Sequence, residues 1–159
     1  DMVGCPTPLK RKDNFKPDPL LPIETNIGAD YVKSGYDRGH VMPAADNLCQ
    51  TPQVQDECFY FSNMVAQTHR LNAGDWKSLE TATRDWAIIS SKVRVWSGAI
   101  GEEKKIGSIS VPTQCWKVIE IAGKKTAYLF NNDLSNPDGF ANNEVPVSQI
   151  EKLTGFTFK

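Results

Sequence analysis

Three separated segments hold side chains whose types and spacing could do chemistry. Asp37-Arg38-Gly39-His40 sets a carboxylate, a guanidinium and an imidazole around one glycine. Ser62-Asn63-Met64-Val65-Ala66-Gln67 contributes two carboxamides, and Leu71-Asn72-Ala73-Gly74-Asp75-Trp76 runs on to Glu80 and Arg84. On a helix, Asn72, Trp76, Glu80 and Arg84 drift slowly around one side. One face then presents an amide oxygen, a carboxylate and a guanidinium in order, a set that suits a hard divalent cation beside a phosphate. A neutral imidazole near pH 7 can take a proton from water. The chain has two histidines, so that role falls to His40 or His69. Each group has an ordinary role when taken alone: a satisfied strand histidine, an Asn72 helix cap, a Glu80–Arg84 surface pair, an Asp37–Arg38 structural pair. Taken jointly they describe a strand–strand–helix unit that brings a histidine and an asparagine together around one ion.

The elements that must position these groups are legible in outline. Residues 1–30, rich in proline, read as an extended segment lying on a core. A turn at Ser34–Gly35 leads into a short strand reaching Met42, residues 43–57 read as a polar loop, and Cys58–Ser62 reads as a compact aromatic strand. The clearest helix runs from about Asn72, its expected N-cap, to Ser90, with Trp76, Leu79, Ala82, Trp86 and Ile89 at helical spacing. Strands follow at Val93–Ser97, Ser108–Val111, Cys115–Ile121 and Thr126–Phe130, then an amphipathic helix over Val147–Leu153 and a terminal Phe156–Phe158 strand. This order predicts an α+β domain, an antiparallel sheet with helices packed on it.

Composition bounds the answer. The 159 residues carry a formal net charge of −1, with 40% hydrophobic and 23% charged residues. Collagen-like, coiled-coil and wholly disordered chains are excluded, and no apolar run is long enough to span a membrane. A charge near zero argues against coating nucleic acid by bulk positive potential, so any such binding needs local cations. The four cysteines contain no CxxC pair. Of their three pairings, Cys49–Cys58 is the expected one because it closes a short polar loop, at about 2–3 kcal/mol of loop entropy. The alternative is four buried free thiols. A bridge points toward an oxidising compartment.

The stretch SGYDRGH, followed by FYFSNMVAQTHRLNAGDWKSLE, resembles the DNA/RNA non-specific endonucleases, the ββα-metal or His-Me finger family. RKDNFKPD upstream, and VPTQCWKVI and IEKLTGFTF downstream, extend the resemblance over nearly the whole chain. It implies a single nuclease domain over residues 1–159 with a ββα-metal core at 34–90. It also implies that only DMVGCPTPLK stands where the family carries a further strand-forming segment. Carried over by position, His40 is the general base and Asn72 the direct ligand of one Mg²⁺, with Mn²⁺ or another divalent ion as substitutes. Glu80 holds metal-bound water, Arg84 binds the scissile phosphate, and Arg38 and Arg11 support phosphate and site geometry. Asn63 and Gln67 are polar positions near the site, Asp37 orients the motif strand, and His69 is a loop residue outside the catalytic set. The implied activity is hydrolysis of DNA and RNA to 5′-phosphate products by a secreted or periplasmic enzyme. Its implied partners are nucleic acid, a second copy as a homodimer and a protein inhibitor, with no membrane. A toxin nuclease with an immunity protein, or a silent nucleic-acid-binding module on this fold, are the competing readings.

Overall fold

The computed structural model describes residues 7–21, 27–90 and 92–159. The elements are α1 (Ile27–Asp30), β1 (Tyr36–His40), a 3-10 turn (Ala44–Asn47), α2 (Pro52–Glu57), a 3-10 turn (Phe61–Asn63), β2 (Met64–Thr68) and α3 (His69–Leu71). A π-type turn (Asn72–Trp76), α4 (Lys77–Ile89), β3 (Val93–Ile100), β4 (Lys104–Ile106), β5 (Ile109–Val111) and β6 (Gln114–Ile121) follow. The chain closes with β7 (Lys124–Asn131), a 3-10 turn (Phe140–Asn143), β8 (Glu144–Val145) and α5 (Val147–Thr154). The class is α+β, as expected, with every strand pair inside the three sheets antiparallel.

The central sheet has the order β3-β6-β7-β8. Its middle strand β6 is buried on both faces, and its alternation sorts them. Cys115 and Ile119 pack with Leu71, Trp76, Leu79, Tyr128 and Phe130 under the helix. Trp116 and Val118 pack with Ala127, Ile150 and Phe158 under α5. Fully buried Leu79 alone is worth about 1.5–3 kcal/mol of transfer free energy. The sheet thus lies between α4 and α5.

The site-bearing strands form a separate pair, β1–β2, with Asp37 opposite Gln67, Arg38 opposite Ala66 and His40 opposite Met64. The turn before β1 forms as expected: Gly35 takes a left-handed φ of 84°, and Ser34 Oγ accepts from the Tyr36 amide at 3.1 Å. Buried Asn132 fastens the pair to the central sheet. Its Oδ1 accepts from Thr68 N, and its Nδ2 donates to Ala66 O and Pro112 O.

Several expectations are corrected. The partner of β1 is Met64–Thr68, not Cys58–Ser62. Of CFYFS, Phe59 is buried against Phe15 and Phe61 is buried in a 3-10 turn, neither in a sheet. The stretch 43–57 is two helical pieces, the second capped by Thr51 and started by Pro52. Asn72 is not an N-cap. Thr68 caps the helix, and Asn72 sits inside it, in αR, where Gly74 (φ −98°, ψ −113°) breaks the regular turn. Residues 156–158 form no strand, because Phe158 tucks its ring against Trp96 and Trp116 instead of pairing its backbone. Cys58 and Cys115 are free thiols and Cys49 is disulfide-bonded, so Cys49 is not bridged to Cys58; Cys58 instead accepts from Asn47 Nδ2 at 2.8 Å. Within the expected N-terminal segment, the described stretch up to Asp18 is extended and docked through Lys16 and Phe15, with a turn after it, whereas Ile27–Asp30 is helical. Residues 1–6, with Cys5, and 22–26 lie outside the described residues.

Candidate active site

A cleft of about 310 Å³ opens where β1, the π-type turn and α4 meet. Arg11, Arg38, His40, Asn72, Glu80 and Arg84 all line it, together with Asp37, His69 and Lys77. A larger trough of about 730 Å³ lies between β3 and α5, but no titratable side chain lines it. The acid–base chemistry therefore belongs to the smaller cleft.

Arg38 and His40, two residues apart on β1, share a face, and the docked Phe15 touches both. The Arg38 guanidinium lies over the Phe15 ring at 4.8 Å and the Tyr31 ring at 5.4 Å. The His40 ring meets Phe59 edge-on at 5.3 Å and Phe15 at 5.9 Å. Trp76 Nε1 donates to His40 O at 3.1 Å, tying the helix start to the end of β1. His40 Nε2 is buried with no hydrogen-bond partner among the described residues, so Nδ1 is the ring nitrogen left to meet a water. Burial, and then the nearby Arg11 charge, hold the imidazole down to about 4 against the opposing pull of Asp13. It is neutral throughout the physiological range.

Asp37 projects toward the helix start. Its Oδ2 accepts from Asn72 Nδ2 at 2.9 Å and from His69 Nδ1 at 2.8 Å. The first bond occupies the donor side of the Asn72 carboxamide and leaves Oδ1 as its free acceptor. Eight residues along, Glu80 has a buried Oε1 with no hydrogen-bond partner among the described residues. Burial pushes its carboxyl up to about 7, against the pull of Lys117. Arg84 is held by Asp46 Oδ1 at 3.1 Å and Thr81 Oγ1 at 3.0 Å. An oriented amide oxygen and a carboxylate that line one cleft make an all-oxygen donor set, which fits a hard, hydrated divalent ion.

Two expected positions stand away from the cleft lining. Asn63 is a backbone staple: it accepts from Met42 N and donates to Met42 O and Cys58 O, each at 2.9 Å. Gln67 is 1% exposed and lies behind β1, where a Cβ at Gly39 would fall 2.0 Å from its Oε1. Gly39→Ala is therefore expected to force the two strands apart and cost about 1–3 kcal/mol, read as a lowered Tm. Sequence reasoning missed Lys77, His69 as a cleft residue, Asp46 as the holder of Arg84, and Lys117. For Lys77 the signal was present, since it directly follows Trp76 on the motif helix.

Two antiparallel strands followed by a helix, with the imidazole on the first strand and the oriented carboxamide at the helix start, define a ββα unit. Residues 6–159 match the family described as DNA/RNA non-specific endonuclease. A mitochondrial nuclease EXOG of Danio rerio is 38% identical over 125 residues, covering 69% of this chain and 36% of that protein. A nuclease of Nostoc sp. is 30% identical over 169 residues, covering 94% and 60%. Among solved structures, the EndoG/EndoGI complex, described as showing the mechanism of EndoG inhibition, contains a chain similar at TM-score 0.80 and 30% identity, covering 94% of this chain and 70% of that one. The chain belongs to the DNA/RNA non-specific endonuclease family. It spans about a third to three fifths of the length of these two curated relatives.

Proposed function

We propose that this chain is a single nuclease domain, with its catalytic core at 34–90, that hydrolyses phosphodiester bonds of DNA and RNA with a divalent metal, Mg²⁺ in the first instance. The observation that carries this reading is the Asn72 carboxamide, turned by Asp37 so that its oxygen is free in a cleft shared with His40. Asn72 Oδ1 would hold the ion directly and Glu80 would hold one of its waters. Bound there, a divalent cation supplies electrostatic stabilisation of charge on the phosphate and the leaving oxygen.

The chain's own groups do the rest. His40 Nδ1, kept neutral by Phe15, Phe59 and Arg11, takes a proton from the attacking water. Arg84, fixed by Asp46 and Thr81, meets the scissile phosphate, and Arg38 and Arg11 line the same cleft as further cations. No step uses a ribose 2′-hydroxyl, which supports both nucleic acids as substrates, and attack by water with a 3′-oxygen leaving gives 5′-phosphate ends. The Cys49 disulfide supports a secreted or periplasmic setting. A protein inhibitor, as in a toxin–immunity pair, is supported by the inhibitor complex of the similar solved chain.

Incubation with plasmid and with RNA, with Mg²⁺ or with EDTA, tests the reading. Both substrates should be cut with Mg²⁺ and spared with EDTA. Intact substrates in Mg²⁺ would leave a silent nucleic-acid-binding module.

A further inference from the structure

Lys117 lies on the central strand β6 between Cys115 and Ile119, on the face covered by α4, and is 2% exposed. In the run Cys115-Trp116-Lys117-Val118-Ile119 an apolar side chain would satisfy the core better, because a buried ammonium must recover its hydration from a few partners. The two nearest belong to the motif helix. Lys117 Nζ stands 3.9 Å over the Trp76 ring and 3.8 Å from Glu80 Oε1. Glu80 Oε1 has no hydrogen bond among the described residues, so charge holds it.

Behind the cleft is a second cavity of about 250 Å³ that Glu80, Lys117 and Asp46 also line. Glu80 borders both spaces, and its carboxylate has somewhere else to go. We propose that Lys117 is a positioning residue for the reaction: it pins Glu80 Oε1 against the sheet, so that Oε2 is the oxygen presented to the cleft and its metal-bound water. The inference rests on the nuclease reading above and deepens it, adding a sheet residue to a site otherwise built from β1, the motif helix and the docked Arg11 segment. A second pair, Asp46–Arg84, adjoins the first, and its charges reach both Glu80 and Lys117.

The test is a double-mutant cycle on the full chain with Glu80→Gln, Lys117→Met and the double variant. Near-UV circular dichroism checks the fold. Mn²⁺ affinity by calorimetry and kcat on plasmid are the two readouts, the first independent of turnover. Each single variant should lose about 10–100-fold in Mn²⁺ affinity and in kcat. The double should lose no more than Glu80→Gln alone, because Lys117 acts through Glu80. A folded Lys117→Met with wild-type Mn²⁺ affinity, or losses that multiply in the double, overturns the proposal. Should Lys117→Met fail to fold, the double strands no buried charge and carries the test. Activity equal to Glu80→Gln supports the proposal, and a further tenfold loss overturns it. Wild-type protein that binds Mn²⁺ with the expected Lys117 dependence yet cuts neither nucleic acid overturns the nuclease reading and leaves the role of Lys117 standing.

Discussion

Replacing His40 by alanine is expected to slow phosphodiester hydrolysis by about 10²–10⁴-fold, the range a positioned general base contributes, while lowering Tm by no more than a few degrees. The small stability effect follows from the surroundings. Among the described residues the ring's Nε2 has no hydrogen-bond partner to strand, and what disappears is edge contact with Phe59 and Phe15, about 1 kcal/mol. For a chain of this size that is about 2–4 °C. Thermal denaturation and plasmid-nicking rates on the same preparation check it. A collapse of Tm with the activity would make His40 a structural residue.

The pH dependence sharpens the same prediction. Burial and Arg11 disfavour the imidazolium, so the folded pKa stands near 4, below the ordinary 6.5, with Asp13 opposing. The proton-accepting form therefore persists as pH falls, and once Glu80, whose own carboxyl is pushed up to about 7, is replaced by glutamine, the acid limb of kcat/KM, which reports the free enzyme, should lie well below pH 6. A bound phosphodiester anion favours the imidazolium, so the limb of kcat should lie higher than that of kcat/KM. Stability moves in the same direction. The unfolded chain takes up this proton near pH 6.5 and the folded chain only near 4, so His40 costs folding free energy as pH falls between the two. The alanine variant should lose less stability over that window.

What was legible in the sequence, and what was not, divides along a physical line. The β1 turn, the motif helix and the β6–β7 strands announce themselves because their signals are local: a Ser-Gly turn, helical spacing of large apolar residues, buried apolar runs. The second strand is not where the aromatic run suggests because aromatic residues signal burial: Phe59 is buried against Phe15 of a docked segment from far upstream, whose Lys16 O also accepts from the Phe61 amide. The residue type of Asn72 points to the site, whereas its place before the apolar pattern suggests a cap it does not form. A cap from Thr68 lies one helical turn earlier, and the break at Gly74 lets an in-helix asparagine serve the cleft. Lys117 and Asp46 were invisible because their partners, Glu80 and Arg84, are tens of residues away, and a lysine within a strand reads as solvent-facing. The charge of −1 misleads for a related reason. It averages over a cleft where Arg11, Arg38, Lys77 and Arg84 converge from three segments of chain.

Asn72→Ala is the second large effect expected, a loss of at least about 100-fold in activity at fixed Mg²⁺, and its pattern separates a ligand from a spacer. Removing the carboxamide deletes the neutral oxygen that Asp37 orients in the cleft. It also frees Asp37, whose Oδ2 then keeps His69 Nδ1 as its one partner among the described residues. If Asn72 is the direct ligand, raising Mg²⁺ or Mn²⁺ should recover part of the lost rate, and the half-saturating metal concentration should rise with it. If Asn72 only braces Asp37, the metal dependence should stay that of wild type while kcat falls. Asn72→Asp separates the two further. It keeps an oxygen for the cation, but sets a second carboxylate at hydrogen-bond distance from Asp37 with no proton between them, a repulsion that protonation or a bound cation relieves. That variant is expected to bind metal more strongly than Asn72→Ala yet to position it worse than wild type. Asp37→Asn should then restore part of the activity to Asn72→Asp and reduce it in the wild-type background. Such reciprocity arises only if the strand carboxylate sets the direction of the helix carboxamide.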